Sequence, residues 1–221
     1  TGVPTVVILV NGRPIAEPWL VNNVHAIIEA WEPGALGGIA LAEILFGRIN
    51  PSGKLPITVP YSVGHLRAIY NHKPTERVRR YVDAPNENLF EFGHGLSYAT
   101  FEYSNAELSR PVIEIGENTS LSVTVTNTGE VAGQEVVQLY IRDHFSEVTR
   151  PVKELKGFKR ITLLPGDEQT VHFNIEPKML SYIGKNMLKR IDAGDFSIMV
   201  GGSSNSSGLE VVRLEVMPRG R

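Results

Sequence analysis

The 221-residue chain is 42% hydrophobic and 21% charged with a formal net charge of -2, the balance of a globular protein with apolar material for one large core or two small ones. Its basic residues are scattered along the chain, which removes nucleic acid as an expected partner, and no apolar run approaches the roughly 20 residues of a membrane span. The absence of cysteine excludes disulfides, thiolate metal sites and cysteine nucleophiles.

The chain enters at once into Val6-Val7-Ile8-Leu9-Val10, a run that reads as a buried parallel strand. Such a strand needs neighbours on both sides, and the residues after it supply too few. The natural N-terminus is therefore expected well upstream, with residues 1–60 stable only beside further chain of the same precursor or in an oligomer interface along residues 6–10. Asn11-Gly12-Arg13-Pro14 is a turn, Glu17-Pro18-Trp19-Leu20-Val21 opens a short helix, and His25 to Trp31 reads as a second strand. Pro33-Gly34 turns the chain into a helix over 35–46, where Leu36, Ile39, Ala40 and Ile44 have helical spacing and Gly37 and Gly38 allow close packing. After the Asn50-Pro51-Ser52-Gly53 turn, Leu55 to Pro60 is short, extended and fenced by prolines.

Residues 1–60 thus form part of a parallel-sheet α/β unit. Periodicity fails over residues 61–100, read as a long ordered connector of the kind that carries function or packs along other domains. From residue 101 to 221 the period becomes two: Leu121, Val123 and Val125, then Val137, Leu139 and Ile141, Val171, Phe173 and Ile175, and Phe196, Ile198 and Val200. With turns at Asn127-Thr128-Gly129, Pro165-Gly166-Asp167 and Ala193-Gly194-Asp195, this predicts an immunoglobulin-like β-sandwich of about seven strands.

Three stretches carry a family resemblance. Trp31-Glu32-Pro33-Gly34 with Gly37-Gly38, Ala42-Glu43-Ile44-Leu45-Phe46-Gly47 and Asn50-Pro51-Ser52-Gly53-Lys54-Leu55-Pro56 resembles the C-terminal α/β domain of glycoside hydrolase family 3. Phe90-Glu91-Phe92-Gly93-His94-Gly95-Leu96-Ser97-Tyr98 is similar to the family's signature before its last domain, with Glu91 where proline is usual. Arg150-Pro151-Val152-Lys153-Glu154-Leu155-Lys156-Gly157-Phe158 and Leu164-Pro165-Gly166 resemble the fibronectin type III-like domain of three-domain members. The order of motifs resembles bacterial periplasmic β-glucosidases, and β-xylosidases share much of the same tail. The resemblance implies a retaining exo-β-glucosidase, periplasmic or secreted. Its nucleophilic Asp lies in a barrel and its acid/base Glu upstream of the first strand here, so neither catalytic carboxylate is expected in this chain. The partners implied are the N-terminal part of the same enzyme, a β-glucoside or oligosaccharide, and a further copy in a homo-oligomer.

A retaining glycosidase needs two carboxyls roughly 5 to 5.5 Å apart. Glu29 and Glu32 flank Trp31 at a strand end, but a spacing of three does not bring them to one face, and Glu43 and Asp83 have less to recommend them. The six histidines lack metal-ligand spacing, so no metal or cofactor is expected, and His94 reads as a turn residue between glycines. Arg77, Arg79 and Tyr81, with Arg80, are the candidate substrate contacts: arginine offers fixed donors to sugar hydroxyls and tyrosine a stacking face. Trp19 and Trp31 are expected in the core. The sandwich shows no aromatic cluster, so support is favoured for it over sugar binding, with a carbohydrate-binding or scaffold module as the non-catalytic alternative.

Overall fold

The computed structural model describes residues 2–74 and 81–220. Two parallel strands, β1 (Val6–Leu9) and β2 (Ala26–Glu29), pair with Val6 opposite Ala26. Between them lies α1 (Pro18–Asn23), with proline in its first turn and the Glu17 carboxylate accepting from Trp19 N–H. Next comes α2 (Gly37–Leu45). The strand over residues 6–9 is parallel as its composition implies, but it is not buried: Val6, Ile8 and Val10 are exposed, because only β2 lies beside it. Trp19 likewise is exposed rather than in the core, since α1 buries none of its residues; Trp31 is half-buried. Of the two glycines opening α2, only Gly37 is in close contact, against the Pro33 ring.

The second unit is a sandwich. Its strands are β3 (Phe101–Leu108), β4 (Val112–Glu114), β5 (Thr119–Asn127), β6 (Gly133–Asp143), β7 (Glu154–Leu163) and β8 (Glu168–Ile175). After α3 (Pro177–Leu180) come the ribbon β9 (Tyr182–Ile183) and β10 (Lys189–Arg190), then β11 (Gly194–Gly201) and β12 (Glu210–Met217). One sheet has the order β4-β12-β11-β6-β7 and the other β3-β5-β8, eight strands where about seven were expected; the short β4, paired in parallel with β12, is the easiest to overlook from sequence. The alternating sets Leu121/Val123/Val125, Val137/Leu139/Ile141, Val171/Phe173/Ile175 and Phe196/Ile198/Val200 meet in the core between the sheets. At about 25 cal/mol per Å² of apolar surface removed from water, this layer dominates the stability of the unit.

Strand β6 departs from simple alternation. Its outward residues Gln138 and Tyr140 are as buried as its inward ones, and Met199 beside Tyr140 on β11 is buried too. The cover is the 61–98 segment, which has neither helix nor strand beyond an isolated bridge from Val59 to Phe90 among the described residues. The Tyr70 ring stacks on Phe92 at 4.3 Å and meets Tyr140 edge-on at 5.9 Å, while its hydroxyl accepts from Leu155 N–H at 3.2 Å. Val152 N–H donates to the His72 carbonyl and Ser204 N–H to that of Phe92, both at 2.9 Å. The irregular segment thus anchors part of its backbone on the sandwich and adds a third layer to it.

Candidate functional site

Three groupings of polar residues stand out. The first lies at the C-terminal ends of β1 and β2, the edge where parallel sheets collect ligands. Asn11 Nδ2 donates to both Glu29 oxygens, at 3.0 and 3.3 Å, and Trp31 N–H donates to Glu29 Oε1 at 3.2 Å. Asn11 N–H donates to the Trp31 carbonyl at 3.1 Å, and Trp31 itself has φ 51°, rare for a bulky residue. Glu29 is therefore a brace across the two strand ends. Glu32 is exposed and reaches toward Gly12.

The second grouping is in the connector. Arg77, Arg79 and Arg80 lie outside the described residues. Tyr81 is partly buried: its hydroxyl donates to the Gly64 carbonyl at 3.2 Å and its ring lies 3.8 Å from that of His65. The buried His65 ties the loop together, with Nε2 against the Pro85 carbonyl at 2.8 Å and Nδ1 against Ser62 Oγ at 2.7 Å. A carbonyl only accepts, so the His65 proton sits on Nε2. Sequence reading did not single out His65; its only local signal is the Ser62 three residues before it.

The third grouping joins all parts of the chain. Lys54, after the Asn50-Pro51-Ser52-Gly53 turn, reaches Glu135 on β6 at 3.0 Å, in a pair almost wholly removed from solvent. Tyr103 O–H donates to the same carboxylate at 2.9 Å, and burial followed by the Glu135 charge pushes its pKa up, keeping it a donor. Asn50 accepts from Ser97 Oγ at 2.8 Å and Tyr98 N–H at 2.9 Å and donates to the Ala132 carbonyl at 2.8 Å. The Tyr98 hydroxyl donates to the Ile44 carbonyl at the end of α2, at 2.8 Å. His94 stacks on Phe90 at 5.1 Å, and its carbonyl accepts from Leu55 N–H at 2.8 Å. The glycines beside it are not merely turn formers. Gly93 has φ 79° and a Cβ there would fall 2.2 Å from Gln138 Oε1. Gln138 in turn donates to the Gly93 and Gly202 carbonyls at 3.3 and 2.6 Å.

Burial, then the nearby Lys54 charge, lowers the His94 pKa below its ordinary 6.5. The unfolded chain then binds the proton more readily than the folded one, so the contribution is whole above pH 6.5 and is lost as pH falls below it. Thermal unfolding at pH 7.5 and 5.5 is expected to show a drop in midpoint that His94→Gln reduces. An unchanged drop would assign it to other groups.

Among the described residues no cluster of three or more His, Asp or Glu could hold a metal. The third grouping is an architectural junction.

Comparison with known proteins places this architecture. The model of the glycosyl hydrolase family 3 C-terminal domain matches residues 1–98, and that of the fibronectin type III-like domain matches residues 135–204. A β-xylosidase of Formosa agariphila is 41% identical over 98% of this chain and 30% of its own length. A periplasmic β-glucosidase of Salmonella typhimurium is 42% identical over 92% of this chain and 28% of its own. Among solved structures, a β-glucosidase from Erythrobacter marinus is 42% identical, with a TM-score of 0.92 over 96% of this chain and 28% of that one. A β-glucosidase from Listeria innocua, in complex with glucose, is 35% identical, with a TM-score of 0.92 over 97% of this chain and 31% of that one. The chain thus spans about 30% of the length of these curated relatives. By its α/β unit, its glycine signature and the sandwich that follows, the chain belongs to glycosyl hydrolase family 3.

Proposed function

We propose that the chain is the C-terminal part of a retaining, exo-acting β-glucosidase that removes terminal β-D-glucosyl residues, acting as scaffold for a catalytic portion that supplies both carboxylates. The observation that carries the reading is the junction of Asn50, Lys54, Gly95 and Glu135, which fixes the sandwich to the α/β unit through the connector. A freestanding sugar-binding module has no use for an α/β unit so attached. The exposed apolar residues of α2 and its borders, Leu36, Ile39, Leu45 and Phe46, and those of β1 are the surface that the rest of the enzyme covers. Residues 1–60, 61–100 and 101–221 are its α/β part, connector and sandwich. It works in the periplasm or outside the cell; no described helix is long and apolar enough to cross a membrane.

The likeness to the Formosa agariphila β-xylosidase favours xylose as a second reading. The test is hydrolysis of 4-nitrophenyl β-D-glucoside and β-D-xyloside by the full polypeptide that carries this chain. A higher kcat/KM on the glucoside supports the first reading and the reverse order the second; no hydrolysis of either returns the chain to the binding or scaffold class.

We place Arg77, Arg79 and Tyr81 at the outer part of the active-site mouth. Arg77→Ala/Arg79→Ala is expected to raise KM for an oligosaccharide about tenfold, the loss of about 1.4 kcal/mol of binding, while kcat changes less. Tyr81→Phe is expected to do little, because the hydroxyl is already engaged by Gly64. An unchanged KM in the double variant would remove the arginines from the site.

A further inference from the structure

We infer that the outer face of the connector is a docking surface for the remaining polypeptide of the same enzyme, an inference that rests on the reading above. The segment is two-sided. His65 and Tyr70 face inward, the first onto Pro85 and Tyr81 and the second onto Phe92 and Tyr140. Their chain neighbours face outward: Leu66 is 75% exposed and Ile69 51% exposed, with Val63 at 89% and Val82 entirely exposed. The bond from the Tyr81 hydroxyl to the Gly64 carbonyl ties the stretch that carries Val82 to the turn that carries Val63 and Leu66.

Several large apolar side chains exposed on an irregular segment whose other side chains pack inward mark a surface that another body covers. The occupant follows from length and tethering. The greater part of each matched relative lies outside the region aligned with this chain. The connector starts directly after the α/β unit, whose own uncovered apolar faces are assigned to that same body. A body seated on β1 and α2 is thereby held beside residue 61 at high effective concentration, an advantage that a second copy of the chain lacks. The sandwich then serves as a backing plate, and the connector as the layer pressed between it and the catalytic portion.

The test uses the full polypeptide with Leu66→Cys, Val82→Cys or, as an exposed reference on β12, Val211→Cys. Because the natural chain has no cysteine, peptide mass mapping locates a maleimide label within it unambiguously. Labelling at positions 66 and 82 is expected to be at least tenfold slower than at 211. Equal rates would overturn the inference, and so would protection that vanishes on dilution, which would make a second copy the occupant. Hydroxyl-radical footprinting of Val63, Leu66 and Val82 in the unaltered protein gives the same reading if a cysteine variant folds poorly. Neither measurement depends on activity, so a wrong substrate assignment and a wrong docking surface fail separately.

Discussion

Replacing Glu135 by leucine is expected to destabilise the chain by about 3–5 kcal/mol, the range for breaking a buried ion pair from one side. The carboxylate receives Lys54 Nζ at 3.0 Å and Tyr103 O–H at 2.9 Å. Without it the ammonium keeps, among the described residues, the Gly95 carbonyl at 3.4 Å, and a half-buried phenol loses its acceptor. Lys54→Met alone is expected to cost less, because a carboxylate left behind still accepts from Tyr103. The double variant Lys54→Met/Glu135→Leu is expected to recover most of the loss, since apolar side chains of similar volume replace both charges at once. Denaturant unfolding of the four proteins gives the coupling energy directly. Additive single effects, or a Glu135→Leu cost near zero, would mean that water reaches the pair and that the junction is held by its backbone contacts alone.

The residues of that junction show why the fold was more legible than the site. Leu121, Val123 and Val125 announce a strand because a period of two is written locally, and the turn residues between strands announce where it stops. Nothing local pairs Lys54 with Glu135, which is 81 positions away, or Tyr70 with Leu155, 85 positions away. The nearest signal was the density of glycine around His94, which sequence reading took for a turn and which the structure explains also by close approach of Gly93 and Gly95 to other parts of the chain. Burial is less legible than strand pattern. Trp19 was expected inside and is exposed on a helix with nothing to pack against. Lys153, for which the local sequence carries no burial signal, is buried, donating to the Ser204 carbonyl and Ser206 Oγ, both at 2.7 Å. Burial accordingly lowers its pKa, an effect that the Glu91 charge partly offsets. Of the proposed substrate contacts, Tyr81 is placed by a hydrogen bond to Gly64 that sequence spacing does not announce, and Arg77 and Arg79 lie outside the described residues.

Gly95→Ala is expected to be the other severe change, and for a reason separate from backbone conformation. Gly95 is not among the residues with positive φ, so alanine meets no torsional penalty there. The obstacle is contact: a Cβ would lie 2.2 Å from the Gly53 carbonyl oxygen and 3.1 Å from Lys54 Cδ. The lysine side chain can swing aside, but the carbonyl cannot. Leu55 N–H to His94 O and Gly93 N–H to Leu55 O, both 2.8 Å, hold the two segments in register directly beside the contact. Retreat therefore breaks at least one of these bonds, adding about 1 kcal/mol to an overpacking cost of about 1–3 kcal/mol. A total near 3 kcal/mol is expected from denaturant unfolding. Gly208→Ala, where a Cβ meets nothing within 4 Å, is expected to stay within about 0.5 kcal/mol of the parent. In the full enzyme Gly95→Ala is also expected to shorten the half-life of activity at elevated temperature, because the connector loses its grip on the turn that follows α2. If Gly95→Ala proves as mild as Gly208→Ala, the two segments are free to separate, and the Gly53–Gly95 contact cannot be what holds the connector to the α/β unit.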